Sequence, residues 1–314
     1  MEDKLNIALI GCGNWGKYIL RDLIQLGCNV HVVCRSEESI ARAQAGGACS
    51  IVNNIKELPN VDGVVIATTT ITHLDIIEEV EHLNAPIYIE KPLGVDVDHA
   101  TQIVNRIGER LFVMDKWRYH EGILELAKIA RNKELGEVKG LSLVRTGWQC
   151  PHQDVDCVWI LAPHDLSIAL EILGEIPKPI HANATRWNDE IVTLNASLGT
   201  SPWVNLTVSK LYPKYRREVR LECENGFALL SDAYVDSIEI YPKENIGISN
   251  PEEAVIHRNF KNEFPLLREL DAFTHFIKGG SKPKSNAYEA LEIVKTIAHL
   301  REVSANNPSR VTAS

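Results

Sequence analysis

The sequence predicts two domains in series, an α/β domain on a parallel sheet and then an α+β domain on a mostly antiparallel sheet. Three observations lead there. Up to about residue 118, short apolar runs alternate with helical patterns. After residue 130, strand-like runs follow one another directly. A glycine-rich turn, GCGNWG, interrupts the chain between its first apolar run and its first helix. A chain of 314 residues fits two domains, and the boundary is read as 1–118 and 119–314.

In the first part the strand candidates are 5–10, 29–34, 48–52, 63–68, 86–90 and 110–114. Helix candidates lie between them near 15–26, 37–45, 73–83 and 96–107. Continuously apolar strands separated by helices imply a parallel sheet covered on both faces. Gly27 suits the left-handed residue that closes a first helix. In the second part the strand candidates are 137–148, 190–198, 203–210, 217–223, 227–231 and 236–241. Val192, Leu194, Ala196 and Leu198 alternate with polar residues, as do Val204, Leu206 and Val208. That period belongs to antiparallel strands with one solvated face. A helix is expected over 163–173, and two more close the chain. Leu266, Leu270, Phe273 and Ile277 form one stripe, and Leu291, Val294 and Ala298 another. Asn286 with Glu289 resembles a capping box.

The formal net charge of -9 argues against nucleic acid as a partner, because phosphate binding needs a basic face. The seven cysteines are odd in number and contain no CxxC pair. They read as reduced thiols of a cytoplasmic protein, with no metal site apparent. No apolar stretch approaches the ~20 residues a membrane span needs, and the run LNIALIG is too short for a signal peptide.

The strongest motif is Gly11, Gly13 and Gly16, a GxGxxG that also contains Asn14 and Trp15. It follows a strand and opens a helix, the setting of a dinucleotide-binding Rossmann domain. Gly11 permits the tight turn, Gly13 lets backbone approach a pyrophosphate, and Gly16 lets helix pack on strand. The helix N-terminus supplies amides and a positive dipole end for the phosphates. An NAD site usually places an acid at the end of the second strand. Here Arg35 and Ser36 stand instead, and a guanidinium can pair with a 2′-phosphate. NADP is therefore preferred, and Glu37 and Glu38 keep NAD open.

Glu90-Lys91-Pro92 ends a strand on the ligand-binding edge of such sheets, and its X-Pro bond is a candidate for cis. Lys91 could hold a substrate hydroxyl, or be a surface charge. Pro163-His164-Asp165 reads as the start of a helix. His164 would then face the positive dipole end and stay neutral, either as a general base or as an ordinary histidine at a helix start satisfied by water. Trp148 offers either a stacking face for a sugar or an ordinary sheet aromatic. The basic run Tyr212 to Arg217 reads as a solvated hairpin loop, with phosphate contact as the alternative.

Taken together these motifs resemble the Gfo/Idh/MocA family (glucose–fructose oxidoreductase and inositol dehydrogenase). The matching features are the glycines, Thr68 to His73 (TTTITH), Glu90-Lys91-Pro92, Lys116-Trp117-Arg118-Tyr119 and Pro163-His164-Asp165. They cover about half the chain directly, and the strand-rich remainder suits the family's open antiparallel sheet. The resemblance implies that Lys91 is the active-site lysine and His164 the proton-exchanging histidine. It places Thr68, Thr70, His73 and Glu90 with Lys91 around the cofactor, and Arg118, Tyr119, Trp148 and Asp165 around the substrate. It implies hydride transfer between NADP or NAD and a secondary alcohol or ketone of a sugar or nucleotide-sugar. A homodimer or homotetramer through the C-terminal sheet is expected, with neither membrane nor nucleic acid as partner. One position departs from the pattern. Many members carry Asp four residues before the histidine, where this chain has Ile160. That leaves two rivals, a non-catalytic dinucleotide sensor on the same fold and a biliverdin- or imine-type reductase.

Overall fold

The computed structural model describes residues 4–149, 154–261, 263–305 and 308–309. The chain divides into two compact units. One holds the chain up to Lys116 together with Phe264–Val294, and the other holds Trp117–Glu263 together with the chain from Lys295.

The first unit runs β1 (Asn6–Ile10), α1 (Gly16–Gln25), β2 (Asn29–Val33), α2 (Glu37–Ala45), β3 (Ser50–Val52), β4 (Gly63–Ile66), α3 (His73–Val80), β5 (Ile87–Glu90), α4 (Val97–Ile107) and β6 (Leu111–Met114). The strands form one six-stranded sheet in the order β3-β2-β1-β4-β5-β6. Every pairing in it is parallel. This is the doubly wound order, whose switch point lies between β1 and β4. Burial explains the apolar strands: Val64, Val65, Ile66, Ile87, Tyr88 and Ile89 are all fully covered.

The second unit begins with α5 (Glu121–Asn132), β7 (Val138–Trp148), α6 (Cys157–Leu173), β8 (Pro179–Trp187), β9 (Glu190–Leu198), β10 (Trp203–Ser209) and β11 (Leu211–Cys223). It continues through β12 (Gly226–Leu230), β13 (Ser237–Pro242), α7 (Pro251–Ala254) and β14 (Ile256–Asn259). Then come α8 (Pro265–Ile277) in the first unit, α9 (Ala287–Ala305) across the boundary, and β15 (Pro308–Ser309). The nine strands order as β14-β13-β12-β11-β7-β10-β9-β8-β15. Among the described residues only β10–β7 and β15–β8 pair in parallel.

Four sequence expectations change. The stripe of Leu266, Leu270 and Phe273 does not belong with the second unit. It packs into the core of the first with Ile19, Leu20 and Leu23 of α1, and Phe273 stacks on Tyr88 at 4.9 Å. A stripe shows that a helix buries one face but not which sheet receives it. Helix α6 begins at Cys157, capped by Asp156, whose carboxylate accepts from Val158 N at 3.1 Å. Pro163 therefore lies inside the helix, and His164 is far from its N-terminus. The dipole argument for a neutral imidazole thereby lapses. The run Tyr212 to Arg217 is strand rather than loop, the first half of β11. Its pairing with β7 is irregular between Leu211 and Arg216, and polar side chains hide its period. Finally, α5 and β8 were not expected. The inward residues of β8 include Ala182 and Ala184, which are weak strand signals.

Candidate active site

In the first unit the glycine loop has the geometry its motif demands. Gly11 has φ +96°, and a Cβ there would lie 2.6 Å from the Ala67 carbonyl oxygen. A Cβ on Gly16 would lie 2.5 Å from the Gly11 carbonyl oxygen. A Cβ on Gly13 would meet nothing within 4 Å. The close contacts at Gly11 and Gly16 are thus internal, while Gly13 faces open space. Trp15 caps α1 without a side-chain hydrogen bond, and the first turn carries no acid. Lys17 N and Tyr18 N donate to the carbonyls of Gly13 and Trp15, at 3.3 and 2.9 Å, and the positive end of the helix faces the loop. These features fit a dinucleotide diphosphate.

Arg35 is exposed at the end of β2, its Nε donating to the Asn53 carbonyl at 3.3 Å. Ser36 caps α2, accepting from Ser39 N at 3.2 Å. Glu37 and Glu38 lie in the first turn of that helix. Hydrogen bonds to its own backbone amide and to Ser36 hold the Glu38 carboxyl below the usual range.

The 68–73 segment is tied to the Lys91 turn. His73, buried, contacts the Pro92 carbonyl through Nδ1 at 2.7 Å and the Thr68 carbonyl through Nε2 at 3.3 Å. Thr72 donates to the Thr68 hydroxyl at 2.9 Å, and Thr70 is buried. The Lys91–Pro92 peptide is cis. His73 thus braces the turn rather than presenting a free ring. Glu90 accepts a hydrogen bond from the Trp15 indole, and the Lys116 ammonium lies 4.4 Å from the Trp15 ring centroid. Burial pushes the Glu90 carboxyl up, while Lys91 and Lys116 pull it down. Trp15, the last X of the glycine motif, is therefore locked to Glu90, the first residue of the lysine motif.

In the second unit, His164 is half-buried on α6, and its carbonyl accepts from Ser167 Oγ at 2.8 Å. Asp165 is buried. Arg145 of β7, also buried, donates to its Oδ1 from Nε at 2.8 Å and from a terminal nitrogen at 2.7 Å. The Arg145 guanidinium lies 4.4 Å from the Trp117 ring centroid. Arg118 is buried and donates to Glu171 of α6 at 3.2 Å. Tyr119 is buried and Trp148 is exposed. His120 caps α5, its Nδ1 accepting from Gly122 N at 3.1 Å while Nε2 meets the Ala233 carbonyl at 3.0 Å. The sequence reading missed Arg145. A lone arginine in an apolar strand was its only signal.

Residues 5–112 match the family described as "Oxidoreductase family, NAD-binding Rossmann fold". Over these residues the chain matches the Gfo/Idh/MocA family. It is 32% identical to an inositol 2-dehydrogenase of Pseudarthrobacter chlorophenolicus over 44% of each chain. It is 24% identical to a UDP-N-acetylglucosamine 3-dehydrogenase of Acidithiobacillus ferrooxidans, over 76% of this chain and 77% of the relative. The first of these matches spans less than half of the relative's length. A solved structure of the UDP-N-acetylglucosamine 3-dehydrogenase of Acidithiobacillus ferrooxidans superposes with a TM-score of 0.82 at 20% identity, covering 96% of this chain and 99% of that one. Among the described residues no helix is long and apolar enough to cross a membrane. Among the same residues no group of three or more His, Cys, Asp or Glu could hold a metal ion.

Proposed function

We propose that the protein is a nicotinamide-dependent dehydrogenase acting on a secondary alcohol or ketone of a sugar or nucleotide-linked sugar. The observation that carries this is the glycine loop, packed tightly at Gly11 on Ala67 and at Gly16 on Gly11, and open at Gly13 before a helix with no side-chain cap. The loop from Gly13 to Gly16 holds the diphosphate, while the Gly11 amide is spent on the Val33 carbonyl at 2.9 Å. Arg35 is free of any acid partner among the described residues and takes the 2′-phosphate, so NADP is preferred over NAD. Ser36 contributes by capping α2. Bound nicotinamide supplies or accepts the hydride.

His164 exchanges the proton of the reacting oxygen. Lys91, held by the His73-braced turn, orients that oxygen and stabilises its developing charge. Asp165 and Arg118 act through Arg145 and Glu171, fixing α6, while Tyr119 and Trp148 lie on the substrate side. The sugar class is suggested by the names of the relatives. The open sheet face, with Ile180 and Trp187 exposed, supports a homodimer or homotetramer.

The sensor reading has one observation in its favour, the buried Ile160 where many members carry an acid. Turnover of sugar substrates in wild type, His164→Ala and Lys91→Ala discriminates the readings. Loss of turnover in both variants supports the dehydrogenase, and wild-type rates in both would sink the assigned roles.

A further inference from the structure

Strand β11 alternates between a charged and an apolar face. Glu218 and Arg220 lie on one side; Val219 and Leu221, both buried, lie on the other. Arg217 shares the apolar face by register, and it pairs directly with Arg145 of β7. Like charges placed opposite each other across a ladder repel. A single carboxylate answers the two cations. Asp165 spends Oδ1 on Arg145, and its Oδ2 is buried with no hydrogen bond among the described residues. The charge of Arg217 reaches both members of that pair.

The other arginines of β11 are neutralised locally. Arg216 meets Glu218 at 3.0 Å, and Arg220 meets Glu222 at 3.5 Å. Arg217 has no such acid among the described residues. Its guanidinium lies instead 4.9 Å from the ring centroid of Tyr215. Tyr215 in turn covers Gly147, where a Cβ would come within 2.5 Å of its ring. The glycine makes room for the ring, and the ring braces the arginine. A half-buried guanidinium with no acid, set beside a second cation, is a site for an anion. It also acts on the residue that follows His164.

We propose that Arg217, braced on Tyr215, binds an anionic group of the substrate, so that the sugar carries a phosphate ester or a carboxylate. This rests on the dehydrogenase reading for the word substrate, but its test is a binding measurement. UDP and glucuronate are titrated calorimetrically into the intact protein. One of them binds, and which one binds tells phosphate ester from carboxylate. Arg217→Gln weakens it about ten- to hundredfold, the loss of a charge-assisted bond. Arg216→Gln, whose arginine already has Glu218, leaves the affinity unchanged. Should Arg217→Gln not fold, Tyr215→Ala is read in its place, with a roughly threefold loss from the missing cation–π brace. Failure of both anions to bind wild type, or unchanged affinity in the variant that is read, overturns the proposal. A parallel NADPH and NADH titration keeps the readings apart. If a nicotinamide binds but the anions do not, only the anion site is wrong. If neither nicotinamide binds, the dehydrogenase reading has failed.

Discussion

Replacing Arg145 with Met should be among the most damaging single changes in the second unit. Arg145 is 2% exposed and Asp165 1% exposed, so neither charge has water to fall back on. Their two contacts, 2.8 and 2.7 Å, converge on one oxygen. Burial drives both groups toward their neutral forms, raising Asp165 and lowering Arg145, while each opposes the shift in the other. The pair is therefore weak as a net stabiliser but costly to break from one side. Leaving Asp165 buried alone should cost about 3–5 kcal/mol, or a fall in Tm of roughly 6–20 °C for a unit of this size. The reverse single change, Asp165→Leu, strands the guanidinium and should cost a similar amount. The double variant Arg145→Met/Asp165→Leu removes both charges and should recover most of the loss. The assay is urea and thermal unfolding of all four proteins, read as a double-mutant cycle. Single variants within about 1 kcal/mol of wild type, or a strictly additive double variant, would refute the reasoning.

Further predictions concern the first unit. Gly13→Ala should fold and melt as wild type, because its Cβ has open space, yet lose about tenfold or more in nicotinamide affinity by fluorescence titration. Gly16→Ala should lower Tm as well, since its Cβ meets the Gly11 backbone; an unchanged melt would contradict the packing. Glu269, buried on α8, is pushed well above the usual carboxyl range, first by burial and then by the charges of Glu90, Asp115 and Asp22 against the pull of Lys116. A raised folded value favours the fold below the unfolded value and is lost as pH rises through the folded one. Glu269→Gln should therefore raise Tm at alkaline pH, with a gain that shrinks toward acid; a pH-independent difference would contradict this. Trp15→Phe removes the indole donor to Glu90 and should cost about 1–3 kcal/mol, measured by urea unfolding.

The elements read most directly from the chain were those governed by neighbours in sequence. Gly11, Gly13 and Gly16 could be assigned their separate duties because a strand, a turn and a helix follow one another within a few residues. The apolar strands of the first sheet, the alternation in β9 and β10, and the cis Lys91–Pro92 turn were likewise local signals. The motif order singled out His164 and Lys91 as candidates, although not what surrounds them.

Other features depended on what distant segments bring together. The start of α6 was misread because Pro163 is tolerated inside a helix whose earlier turn is held by burial of Val158, Trp159 and Ile160. A proline preference is a local statistic, and packing overrides it. The stripe on α8 announced a buried face, but only contact with α1 assigned it to the first unit. Asp165 looked like a substrate contact until Arg145, twenty residues earlier, was found against it. By itself the sequence determined the class of fold and the glycine turn, since hydrophobic period and backbone freedom are written residue by residue. Only the tertiary structure decided which charges are buried and which acid answers which arginine. Those outcomes depend on desolvation and on distances between segments that the order of residues does not contain.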